Sequence, residues 1–178
     1  MSRMTRLLLA ASTIVGALAI PTTAFAQAAE RGQWELTLAG IGTSSKDFDE
    51  HAIGVSGGLG YFIFDNLELT LRQTLSYVKS ADSTATDAST RFAVDLHFPL
   101  GDAGRIQPFV GGNVGFFYGD TVSDSFEYAP EAGVKYFVNT TTFIYFQAEY
   151  QFFSHFSGAN NSSDDRQIVY GVGIGLRF

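Results

Sequence analysis

The last thirteen residues, Arg166 to Phe178 (RQIVYGVGIGLRF), constrain the fold more than any other stretch. Ile168, Tyr170, Val172, Ile174, Leu176 and Phe178 fall on one face. Gln167, Val169, Gly171, Gly173, Gly175 and Arg177 fall on the other. Period-two alternation over this length specifies a strand with one apolar face. In water, such a strand at a chain end is a bare sheet edge and an aggregation hazard. Closed into a barrel with its apolar face against lipid, it has neither problem. The expectation is therefore an all-β, eight-stranded antiparallel up-and-down transmembrane barrel, sealed by this strand against the first.

Seven more alternating segments precede it. They are expected at Gly32 to Gly42, His51 to Phe64, Leu67 to Ser80, Ser89 to Phe98, Ile106 to Tyr118, Phe126 to Val138 and Phe143 to His155. Short turns, such as Asp65-Asn66 and Asn139 to Thr142, follow strands two, four and six. Polar loops at Thr43 to Glu50, Ala81 to Ala88, Gly119 to Ser125 and Phe156 to Asp165 follow the odd strands. Eight is an even number, as bacterial single-chain barrels have, and this pattern puts both termini in the periplasm. Pro130 in the sixth strand predicts a bulge or locally frayed pairing.

Residues 1–26 have the marks of a cleavable signal peptide. Arg3 and Arg6 precede an apolar run from Leu7 to Ile20, Pro21 breaks it, and Ala24-Phe25-Ala26 is a small-x-small cleavage site. Residues 27–178 form the barrel domain. Of 11 basic and 18 acidic side chains, the leader removes two Arg and no acid, so the mature chain has 9 against 18, a formal charge of −9. That balance argues against nucleic acid as a partner. Cysteine is absent, so an exported chain of this size takes its stability from something other than disulfides, and a closed barrel is one such source.

Three features set the apolar faces outward. The strands are long, the polar faces are rich in Gly and charged at mid-strand, and Tyr and Phe gather near strand ends as girdles would. The inward set is then Glu35, Glu68, Arg72, Arg91, Asp95, His97, Glu127, Glu131, Lys135, Glu149 and Arg177. An eight-stranded lumen is just wide enough for side chains to fill, and buried charges must pair. The expected content is an ion-pair network plugging the lumen, with Glu127 and Arg177 exposed to water at the mouths. Hairpin counting sets Glu131 opposite Glu149, with Arg72 and Arg91 as the available cations. Inward glycines thin the wall, so that long side chains can reach across from the opposite side.

The signal peptide, the alternating segments, GVGIGLRF at the end, and stretches such as PFVGGNVGFFYGD and EAGVKYFV resemble the small outer-membrane β-barrel proteins of the OmpA/OmpX-like and opacity-protein-like group. The resemblance implies a cell outer-membrane location among lipid and lipopolysaccharide. It also implies a C-terminal signal (Tyr170, Ile174, Leu176, Phe178) read by the outer-membrane insertion machinery. It points to a structural or surface-interaction role rather than a chemistry. The expectation is a monomer without cofactor or metal: His51, His97 and His155 are dispersed, and loop acids such as Asp47, Asp49, Glu50, Asp164 and Asp165 are ordinary solvated charges. Two other readings stand beside it. His155-Phe156-Ser157 resembles the His-x-Ser pair of lipid A deacylases, but Gly158 follows where those enzymes tend to have Asn, and no acid follows Asp165. A narrow, low-conductance pore is the third.

Overall fold

The computed structural model describes residues 29–45, 51–79, 84–101, 104–119, 125–155 and 166–178. The leader, Ser157 and the loop acids named above lie outside them. Eight strands run in chain order: β1 (Trp34–Ser45), β2 (His51–Phe64), β3 (Leu67–Lys79), β4 (Thr84–His97), β5 (Ile106–Gly119), β6 (Ser125–Phe137), β7 (Thr142–His155) and β8 (Arg166–Arg177). Each pairs antiparallel with its neighbours, and β8 returns to β1 to close the barrel. At the seam the main chains of Trp34 and Phe178 exchange two hydrogen bonds, of 2.8 and 2.9 Å. The alternating strand at the end of the sequence is thus the one that removes the last edge.

Local chemistry fixes the turns. Asn66 carries φ 63°, the left-handed conformation that Asn tolerates and a two-residue hairpin needs. Between β6 and β7 the Asn139 side chain accepts from the backbone N–H groups of Thr141 (2.9 Å) and Thr142 (2.7 Å), an Asx turn. The segment before β1 folds under the same end: Gly32 N–H donates to the Phe62 carbonyl and Asn66 N–H to the Ala29 carbonyl.

Two strand boundaries expected from the sequence are corrected. Thr84 to Ala88 belongs to β4 rather than to a loop, so β3 and β4 pair as far as Lys79–Thr84. β1 likewise runs on to Ser45. Neither extension alternates apolar with polar, so the sequence pattern passes over both. Of the two outcomes expected at Pro130, the structure has the frayed pairing and not the bulge: β6 and β7 keep one register on both sides of it and lose the rungs at Ala129 and Pro130. The register shift lies instead between Phe62 and Phe64, at the β2–β3 turn.

Alternation sorts the side chains as a membrane barrel requires. Leu36, Leu38, Val55, Leu71, Phe92, Val114, Phe146, Val172 and Ile174 point outward and are exposed, while Glu35, Glu68, Arg72, Arg91, Asp95, Glu131, Lys135 and Glu149 point inward and are buried. In water this would be inside out. In lipid it is the stable arrangement, because the strands pair with one another around a closed ring and leave no sheet edge.

Candidate functional site in the barrel lumen

The inward side chains form three connected tiers. The tier nearest the termini is built on Glu35, Glu68, His97, Lys135 and Arg177. Lys135 bonds Glu35 and donates to Glu68 at 2.9 Å. Arg177 Nε donates to Glu35 at 2.8 Å, and its Nη2 donates to Gln107 at 2.9 Å. His97 Nε2 donates to Glu68 Oε2 at 2.9 Å, which makes Nε2 the protonated nitrogen. Aromatic rings enclose both cations. Lys135 Nζ lies 5.0 Å from the Phe143 ring centre and 5.6 Å from that of Phe109; the Arg177 guanidinium lies 4.6 Å from the Phe137 ring centre and 5.0 Å from that of Phe62. Such contacts add favourable electrostatics where water is excluded.

The middle tier is centred on Arg72. Its two terminal nitrogens grip Glu131 at 2.7 Å each, and one of them also donates to Asp95 at 2.9 Å. Glu149 Oε1 is 3.6 Å away. Glu131 and Glu149 face each other across the β6–β7 pairing. They are held together by Arg72 and by Asn113, whose amide donates to both carboxylates, at 2.5 and 3.2 Å. Fork-shaped pairing of this kind is the strongest geometry a guanidinium offers a carboxylate.

The third tier is centred on Arg91, which bonds Glu149 through Nη1 and donates to Thr74 through Nη2 at 2.9 Å. Thr74 in turn donates to Ser56 at 3.0 Å. Gln147 and Gln151 donate to Glu149 at 2.6 and 3.2 Å. Glu127 lies 3.6 Å from Arg91 Nε, with neither carboxylate oxygen in a hydrogen bond. Glu127 and Arg177, expected at the mouths in water, are 0 % and 4 % exposed. The correction has one cause: Arg91 and the Glu35–Gln107 pair draw them inward.

Inward glycines do not serve side chains from across the lumen, as expected, but those of the adjacent strand. A Cβ on Gly60 would sit 1.8 Å from the Glu68 carboxylate, on Gly111 2.2 Å from that of Asp95, and on Gly175 2.1 Å from the Phe143 ring. A Cβ on Gly115 would lie 2.6 Å from Arg91 Cγ. Each glycine lets a neighbour lie flat against the wall before it turns inward. The bridging amides Asn113, Gln107, Gln147 and Gln151 were not picked out from the sequence as part of the network. Their signal is parity alone, since each alternates onto the inward face of its strand.

Two small open spaces lie in the lumen among the described residues. Each is a cavity of about 20 Å³ with room for one water. Both are bordered by Thr37, Arg72, Tyr145 and Gln147, so these four side chains stand between them. Among the described residues, no group of three or more His, Cys, Asp or Glu is placed to hold a metal ion. His155 ends β7, opposite Ser125; Ser157, its suggested partner, lies outside the described residues. Tyr170, Ile174, Leu176 and Phe178 all face outward on or just after β8.

An apolar exterior, a polar ion-paired interior and a sheet without edges define an integral β-barrel of the bacterial outer membrane. The sequence profile of the Outer membrane protein beta-barrel domain family matches residues 9–178, and the chain belongs to that family. The fold is similar to that of Neisserial surface protein A (NspA), with TM-score 0.63 and 15% identity over 82% of this chain and 96% of that one. It is equally similar to OprG from Pseudomonas aeruginosa, with TM-score 0.63 and 13% identity over 86% and 99%. The attachment invasion locus protein Ail of Yersinia pestis gives TM-score 0.54 and 12% identity over 83% and 99%. No curated protein matches at the sequence level.

Proposed function

We propose that the chain is a non-enzymatic outer-membrane barrel with a structural or surface-interaction role, its lumen plugged by the charged network. On this reading residues 1–26 are a cleaved signal peptide and both termini face the periplasm. The insertion machinery reads Tyr170, Ile174, Leu176 and Phe178, and the mature barrel works as a monomer among outer-membrane lipids without a cofactor. The observation that carries the plug is Arg72. Buried among three carboxylates, it joins four strands (β3, β4, β6 and β7) and stands between the two lumen cavities. The surface-interaction half takes its direction from the names of NspA and Ail, whose likeness to this chain extends to the fold.

The test is thermal unfolding of two adjacent variants in detergent. Arg72→Ala leaves Asp95, Glu131 and Glu149 together without their cation, and loss of one partner of a buried pair costs about 3–5 kcal/mol. Leu71→Ala trims a lipid-facing side chain and costs at most about 2 kcal/mol. Arg72→Ala therefore lowers the unfolding temperature more. Equal losses would sink the plugged-lumen reading. Lipid A isolated from cells expressing the chain keeps all of its acyl chains; loss of one, abolished by Ser157→Ala, would make the chain a hydrolase instead.

A further inference from the structure

The lipid-facing wall is apolar except at one place. Among the described residues, Gln73 on β3 and Thr90 on β4 are the non-aromatic polar side chains at outward positions between the two aromatic girdles. They occupy one rung of the sheet, between Gly57 on β2 and Phe116 on β5. Tyr118, two rungs higher on β5, bends its hydroxyl to them. Thr90 Oγ1 donates to Gln73 Oε1 at 2.7 Å, and Gln73 Nε2 donates to the Tyr118 hydroxyl at 3.1 Å. The Thr90 proton is thereby used, so across the remaining 3.2 Å contact Tyr118 is the donor and Thr90 the acceptor. The three side chains close a ring of hydrogen bonds on the outside of the barrel.

The ring spends both of its hydroxyl protons internally, and the other Gln73 N–H turns toward the Thr74 carbonyl at 3.4 Å. What it presents outward is acceptor lone pairs on three oxygens. The adjoining wall is notched. A Cβ on Gly57 would meet nothing nearer than the Thr37 carbonyl at 3.9 Å, and one on Gly40 would meet nothing within 4 Å. On tilted strands Gln73 lies about 10 Å below Tyr77, so with the termini in the periplasm the ring sits in the outer leaflet near the acyl linkages.

We propose that this ring and the Gly57–Gly40 notch form a seat for one outer-leaflet lipid whose acyl linkages carry hydrogen-bond donors, namely the amide-linked hydroxyacyl chains of lipid A. The amide N–H and chain hydroxyl meet the ring oxygens, and the hydrocarbon lies in the notch. A diacyl phospholipid has only ester acceptors at this depth and finds no complement there. The proposal rests on the outer-membrane location and on the periplasmic termini of the proposed function, and stands whether or not the lumen is plugged.

The full chain is reconstituted in nanodiscs holding equal amounts of phosphatidylglycerol and lipid A, then released in mild detergent, and its retained lipids are counted by native mass spectrometry. The wild type keeps lipid A over phosphatidylglycerol by about fivefold, the ratio one net hydrogen bond sustains. The variant Gln73→Leu with Thr90→Val and Tyr118→Phe loses that preference while still showing a heat-dependent gel shift. Should it fail to fold, Gly57→Leu serves instead: it keeps the ring, fills the notch and lowers lipid A retention. Equal retention of the two lipids by the wild type overturns the proposal. So does an undiminished preference in the ring variant, or in Gly57→Leu where that variant stands in, which would leave the ring as a stitch between strands.

Discussion

At the scale of single residues, this barrel depends on what its glycines leave out. Gly175 lies under the fully buried Phe143 ring, and a Cβ there would come 2.1 Å from the ring edge. The ring cannot retreat, since Phe137 packs against it and Lys135 sits over its face. Gly175→Ala is an overpacking change, expected to cost about 1–3 kcal/mol in urea unfolding from detergent or vesicles. Gly40 is the control on the outward face, where a Cβ meets open space. Gly40→Ala costs nothing measurable and removes backbone freedom from the unfolded chain. Equal losses for the two would mean that glycine serves the strands through flexibility rather than clearance. Parity in the sequence separates inward from outward glycines, but it cannot say which neighbour lies over which glycine. That depends on side-chain direction, and the covering groups come from the adjacent strand.

At the scale of elements, the strand count, strand order and Glu131–Glu149 register follow from period-two alternation and hairpin counting. One face of each strand is apolar, and a one-residue slip would turn every side chain to the wrong side. Strand ends are less legible. Beyond the lipid a strand no longer needs an apolar face, so Thr84 to Ala88 has a loop's composition and a strand's hydrogen bonds. Glu127 and Arg177 were misplaced for a related reason: alternation gives a direction but not a depth. Pro130 is the element-scale defect. It keeps its rung with Gly112 on β5, while the rungs to β7 at Ala129 and Pro130 are missing. The absent N–H is therefore one that would have faced β7. Pro130→Val supplies the donor and a β-branched side chain on a lipid-exposed position. It is expected to raise the urea midpoint by an amount equivalent to about 1 kcal/mol, one net hydrogen bond. A lower midpoint would mean that the proline's fixed backbone is worth more here than the bond it removes.

At the scale of the whole molecule, the charged groups that line the lumen are unequal in number. Among the described residues, seven buried carboxylic side chains face four buried Arg and Lys. The interior is accordingly cation-attracting wherever water can enter. Among the described residues, two water-sized cavities lie on either side of Thr37, Arg72, Tyr145 and Gln147. Arg72 is the longest of these and the one held in place by ion pairs on three other strands. Shortening it removes the divider and one of the four positive charges together. In planar bilayers the wild-type barrel is therefore expected to pass little or no current. Arg72→Ala should open small cation-selective steps, because the side chains now lining the gap are Asp95, Glu131 and Glu149. Selectivity is the informative readout. An anion-selective or unselective current would point to leakage around a damaged barrel, whereas cation selectivity follows only if ions traverse the carboxylate-rich lumen itself. If Arg72→Ala stays silent while remaining folded, closure belongs to the aromatic tier of Phe62, Phe109, Phe137 and Phe143, with Arg72 serving the stability of the wall alone.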